Sequence, residues 1–123
     1  MQHAPGFLVL CDDARTRVRE VTIDDVIARL ALGEAFELVD VREDLEWAAG
    51  HAQGARHLGR GILERDVEGK IPARNTEIIL YCGGGYRSLL AADSLKRMGY
   101  TNVASLIGGY KAWQSAGAPI DKD

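Results

Sequence analysis

Apolar residues recur at roughly helical spacing near the start of the chain: Phe7, Leu10, Cys11, Ala14 and Val18. That spacing predicts an amphipathic N-terminal helix. Cys11 falls on its apolar stripe, where a free cysteine most often packs as a small hydrophobe. Thr22 opens a second helix. Thr22, Ile23, Asp24 and Asp25 come close to a capping box with acids in the first turn. Ile23, Val26, Ile27 and Leu30 make its buried face, and Gly33 supplies a left-handed stop. Residues 36–41 are short, apolar and partly β-branched, as a strand should be. Residues 43–49 fit a short helix closed by Gly50, 55–58 another strand, and the polar stretch 60–70 a surface helix before Pro72.

Ile78, Ile79, Leu80 and Tyr81 form the clearest strand, continuously apolar like one covered on both faces. After a glycine-rich turn, residues 88–98 read as a helix with Ala91, Leu95 and Met98 on one side. Lys96 and Arg97 suit its C-terminal end, and Gly99 stops it. A last strand, 103–107, leads through Gly108 and Gly109 to a final helix carrying Trp113. Strands alternating with helices predict an α/β fold of three layers, a mainly parallel central sheet with helices on both faces.

Composition narrows the function. A chain of 123 residues fits one domain. A net charge of -3 argues against an electrostatic nucleic-acid binder. No apolar run approaches a membrane span, since the stretch from Phe7 to Cys11 meets Asp12 and Asp13 at once. The first residues lack the positive segment of a secretory signal, so the expected location is cytoplasmic. The two cysteines, Cys11 and Cys82, form no CxxC pair, and His3, His51 and His57 have no zinc-like spacing to them. No metal site is expected, and in a reducing compartment no disulfide framework either.

The segment Cys82, Gly83, Gly84, Gly85, Tyr86, Arg87 carries the chemistry. It puts a cysteine at the carboxyl end of a central strand with a helix starting a few residues later, the edge where open α/β sheets bind ligands. Three glycines can take positive φ at little steric cost, so the backbone can curl and aim several N–H groups inward as an anion nest. The following helix adds the positive end of its dipole. Both favour anionic sulfur. Arg87 in the first helical turn opposes that dipole at a cost of ~0.3–1 kcal/mol, so a negative group should stand near it. The candidates are an anionic substrate or the Cys82 thiolate on one side, and a buried carboxylate, Asp40 or Glu46, on the other. The loop is not a nucleotide-binding Walker loop, which ends Gly-Lys-Ser or Gly-Lys-Thr.

From about residue 17 onward the chain resembles a rhodanese domain, dividing into an N-terminal helical extension (1–17) and the domain itself (18–120). The resemblance rests on ordered blocks: Leu38 to Glu43, then Glu46 and Trp47, Gly50 and His51, Gly54 and Ala55. The loop from Cys82 to Arg87 follows with Ser88, Ala91, Ala92 and Leu95. Gly99, Tyr100, Asn102, Val103, Leu106, Gly108, Gly109, Ala112, Trp113, Gly117 and Pro119 complete it. The resemblance implies a sulfurtransferase that takes sulfane sulfur from a small anionic donor such as thiosulfate. A Cys82 persulfide would pass it to cyanide or a thiol, including a protein thiol. It makes Cys82 the covalent catalyst and Gly83, Gly84, Gly85, Tyr86 and Arg87 the cradle, with no cofactor. Asp40 and Arg42 are expected to support the structure, His51 to be a turn residue with satisfied hydrogen bonds, and Trp113 to be packing. The loop has no charged residue between Cys82 and Arg87, unlike the most thiosulfate-adapted rhodaneses, which leaves the preferred donor open. Two other readings stand beside it. One is a phosphatase or arsenate reductase of the same fold, whose loops are one residue longer between cysteine and arginine. The other is a catalytically silent recognition module, which usually lacks the cysteine.

Overall fold

A computed structural model describes residues 3–122. In chain order its elements are α1 (Pro5–Arg15), β1 (Arg19–Val21), α2 (Ile23–Ala31), β2 (Glu37–Asp40), α3 (Asp44–Ala49), β3 (His51–Ala52), β4 (Arg56–His57), α4 (Leu63–Lys70), β5 (Ile78–Tyr81), α5 (Arg87–Arg97), β6 (Val103–Leu106), α6 (Gly109–Ser115) and β7 (Ile120–Asp121). Five strands form a parallel sheet in the order β1-β6-β5-β2-β4. β3 and β7 pair separately and antiparallel.

Side-chain alternation along the central strands builds one core on each face of the sheet. Ile78, Leu80 and Cys82 join Val39 and Val103 in a core covered by Cys11 and Ala14 of α1, Leu63 and Val67 of α4, and Leu89, Ala92 and Leu95 of α5. Ile79 and Tyr81 join Leu38, Ala104 and Leu106 on the opposite face, under Val26 of α2 and Trp113 of α6. The result is the expected three-layer α/β architecture, with helices on both faces.

Local signals set most boundaries. Pro5 starts α1 at a position where its missing N–H costs nothing. Thr22 and Asp25 close the capping box of α2: the Asp25 N–H donates to Thr22 Oγ1 at 3.1 Å, and the Thr22 N–H donates to Asp25 Oδ2 at 3.4 Å. Two expected core residues lie elsewhere. Leu10 is 58% exposed, because α1 packs through Phe7, Cys11 and Ala14, a stripe that leaves Leu10 to one side. α1 also ends at Arg15, so Val18 is buried from the turn that follows. Leu30 is 43% exposed and lines a shallow groove with the segment 116–119. β1, β3 and β7, of two or three residues each, are additions to the sequence-based reading.

Candidate active site

The sheet order places the site. β5 lies between β6 and β2, and the chain leaves the carboxyl end of β2 toward α3 and that of β5 toward α5. The two departures open a crevice at the switch point of the sheet. Cys82 continues the alternation of β5 onto the α5 face. It is 1% exposed, yet it lines a cavity of about 810 Å³ with Gly83, Gly84, Tyr86 and Arg87.

The loop is shaped by close backbone approaches. Of its three glycines only Gly85 takes positive φ, at +96°, so the curl is sharper and more local than three permissive residues suggest. A Cβ there would stand 2.9 Å from the Gly108 nitrogen. Gly85 donates its N–H to Cys82 Sγ at 3.1 Å. The start of α6 holds the loop from outside: Tyr110 N–H donates to the Cys82 carbonyl at 2.7 Å, and Lys111 N–H to the Gly83 carbonyl at 3.1 Å. Gly109 makes that approach possible, since a Cβ on it would lie 2.3 Å from the Cys82 carbonyl oxygen. Tyr86, the N-cap of α5 behind the loop, makes no side-chain capping hydrogen bond among the described residues.

Arg87 pairs with Glu46 of α3. Its Nη1 and Nη2 donate to the two carboxylate oxygens at 2.9 and 3.1 Å. Of the partners left open by the sequence, the carboxylate is the one found, and it stands half-exposed at the cavity wall. The Arg87 guanidinium, with help from the Glu43 backbone, holds the Glu46 carboxyl below its ordinary range against the opposing effect of burial. Asp40 is taken by Arg42: the two are buried, the Arg42 guanidinium and backbone N–H both donate to the Asp40 carboxylate, and Arg42 Nη2 also donates to the Gly50 carbonyl at 2.7 Å. That pair ties β2 to the end of α3 and lies outside the cavity. His51 is buried, stacked on Trp47 at 3.4 Å between ring centres, with Nδ1 on the Trp47 carbonyl at 3.0 Å. Trp113 is core, and its Nε1 donates to the Pro119 carbonyl.

Other groups join the site that the sequence did not single out for it. Ser88 Oγ lies 3.5 Å from Cys82 Sγ and 2.7 Å from Ser105 Oγ on β6, and both serines are fully buried. A serine inside an otherwise apolar helical stripe was the available signal for Ser88; nothing local marked Ser105. His3 and Phe7 line the cavity from the N-terminal segment. Cys11 stays off the cavity wall, fully buried, with its Sγ donating to the Tyr86 carbonyl at 3.7 Å. Burial pushes its thiol up from the ordinary value. Among the described residues no group of three His, Cys, Asp or Glu side chains is placed to hold a metal, and no helix is long and apolar enough to cross a membrane.

Comparison with known proteins bears on the family and the fold. The family model for the rhodanese-like domain matches residues 22–116. A sulfurtransferase of Allochromatium vinosum is 34% identical, with the match covering 84% of this chain and 94% of that protein. The thiosulfate sulfurtransferase GlpE of Haemophilus influenzae is 36% identical over 68% of this chain and 78% of its own length. A Mycobacterium tuberculosis protein named "Probable adenylyltransferase/sulfurtransferase MoeZ" is 34% identical over 85% of this chain, which spans only 27% of that longer protein. Among solved structures, a Rhodopseudomonas palustris protein of unknown function, described as a possible tyrosine phosphatase, superimposes with a TM-score of 0.84 at 31% identity over 98% of both chains. With its loop, sheet order and sequence in agreement, this chain belongs to the rhodanese family.

Proposed function

We propose that the protein is a sulfurtransferase that carries sulfane sulfur as a persulfide on Cys82. The observation that carries the reading is the Gly85 N–H on Cys82 Sγ at the floor of a cavity, in a loop held open by the α6 amides. In the first step the Cys82 thiolate attacks the outer sulfur of a donor. With thiosulfate, the Sγ–S bond forms, the donor S–S bond breaks, and sulfite leaves with that electron pair. The terminal sulfur of the persulfide bears the negative charge, where the loop amides and the α5 terminus stabilise it. In the second step cyanide or a thiolate attacks that sulfur and Cys82 leaves as thiolate. This is covalent catalysis by an activated nucleophile, with no cofactor among the groups that take part. Arg87 acts through Glu46: the pair fixes the wall and the start of α5, so Arg87 positions the loop.

The phosphatase reading has one observation behind it, the description given to the R. palustris neighbour. Two features weigh against it. Both donor arms of Arg87 are committed to Glu46, whereas a dianionic phosphate calls for a guanidinium free to bind it in two places. Cys82 is almost completely covered, so a slim terminal sulfur atom reaches it more readily than a phosphorus ringed by oxygens. The retained cysteine likewise favours an enzyme over a silent recognition module. Mass spectrometry after incubation with thiosulfate or an organic sulfane donor should show one added sulfur atom, mapped to Cys82 and discharged by cyanide. Rapid aryl phosphate hydrolysis, with no persulfide from any sulfane donor, would overturn the assignment.

A further inference from the structure

The cavity over Cys82 is far larger than thiosulfate needs. Its volume of about 810 Å³ is that of a site for an organic molecule, roughly 300–1,000 Å³ in general, while thiosulfate is a compact ion little bigger than sulfate. Part of the excess is walled by aromatic rings. His3 lies 4.4 Å from Tyr86 and 5.4 Å from Phe7 between ring centres, and Phe7 lies 6.2 Å from Tyr86. All three side chains line the cavity beside the nucleophile. Two of them come from the N-terminal segment, outside the residues 22–116 that match the family. That segment is fixed to the loop: Phe7 packs on the same core as Cys11, whose Sγ reaches the Tyr86 carbonyl. Charge points the same way. Of the Lys, Arg, Asp and Glu side chains around the cavity, Arg87 and Glu46 neutralise each other, and Lys111 enters no ion pair among the described residues. Lys111 is then the one positive charge set beside the Cys82 thiolate, so the cavity has no surplus of positive charge to hold a dianion, and a monoanion suits it better.

We infer that His3, Phe7 and Tyr86 form a specificity wall for an organic sulfane donor with one negative charge and an apolar group, an aryl or alkyl persulfide or thiosulfonate. The inference rests on the sulfur-transfer reading and names its donor class. The apolar group lies on the aromatic wall while the terminal sulfur points down to Cys82. For a thiosulfonate, Cys82 thiolate takes the outer sulfur, the S–S bond breaks, and the sulfinate departs with the electron pair. One negative charge enters on the donor and one leaves on the sulfinate.

The test compares two donors of equal charge, benzenethiosulfonate and methanethiosulfonate, with cyanide as acceptor. After division by the same ratio for a free small thiol, kcat/KM should favour the aryl donor by about 10-fold, the gain when roughly half an aromatic ring leaves water. Phe7→Ala, shown by its melting curve to be folded, should bring the ratio close to one, and Phe7→Leu should fall between. A wild-type ratio no different from the free thiol overturns the inference, and the wild-type measurement decides this even if the variants fail to fold. A high ratio that survives in folded Phe7→Ala also overturns it. Absence of a Cys82 persulfide with both donors and with thiosulfate overturns the sulfur-transfer reading as well, an outcome distinct from a persulfide formed without selectivity.

Discussion

Ser88 stands between the nucleophile and the sheet, with its hydroxyl shared between Cys82 Sγ and Ser105 Oγ. Removing that hydroxyl leaves Ser105 buried without this partner and Cys82 Sγ with only the Gly85 N–H. Ser88→Ala should therefore cost about 1–2 kcal/mol of stability, read as a shift in urea midpoint, and slow sulfur transfer as the thiolate loses a donor. Unchanged turnover in the variant would show that the serine pair is structural only. Cys11 gives the contrasting case. Cys11→Ala should lose about 1 kcal/mol through the small cavity left in the core while sulfur transfer to cyanide persists. Loss of activity equal to that in Cys82→Ser would mean a relay between the two thiols. The difference between these residues explains what the sequence could reveal. Cys82 to Arg87 are consecutive, so their chemistry is legible as a string. Glu46, Ser105 and Phe7 reach the site only through the packing of α3, β6 and α1, and no local pattern shows which of several carboxylates or aromatics arrives.

Among the elements, α6 has the most to do with the shape of the loop. Its first amides hold the Cys82 and Gly83 carbonyls, and Gly109, at φ +52°, is the point of closest approach. Gly109→Ala would combine a left-handed backbone that L side chains resist with a Cβ 2.3 Å from a carbonyl oxygen. The helix must then draw back from the loop. We expect at least about 2 kcal/mol of destabilisation and a loss of sulfur transfer larger than the same destabilisation causes at a core position remote from the site. Equal effects would show that the α6 contact does not set loop geometry. The glycine pair was readable as a turn before a helix, but its steric role depends on the loop that packs across it. The same division holds for the strands. β5 is apolar over all four residues, and β2 and β6 carry Leu38 and Val39, and Val103, Ala104 and Leu106, so these three announced themselves, whereas β1, β3 and β7 are too short for a period and exist because a neighbouring backbone offers partners.

At the scale of the whole molecule, three carboxylate–arginine links join elements that the cores alone leave to packing. Glu46 binds α3 to Arg87 at the start of α5, Glu77 just before β5 takes Arg29 of α2, and Asp93 of α5 takes Arg17 beyond the end of α1. In each case hydrogen bonding from the arginine is the foremost cause holding the carboxyl below its ordinary value. A carboxyl depressed in the folded state binds its proton more readily in the unfolded chain. The stabilisation is therefore complete above the unfolded value of about 4 and disappears as pH falls through the lower folded values. The melting temperature should stay nearly level from neutral pH to about pH 5, then drop steeply below about pH 4. Glu77→Gln should melt lower at neutral pH and show a shallower acid limb, because one of the titrating links is already gone. A wild-type melting temperature that does not move between about pH 6 and pH 3 would mean that these links add nothing to the folded state and that packing of the two cores holds the helices in place unaided.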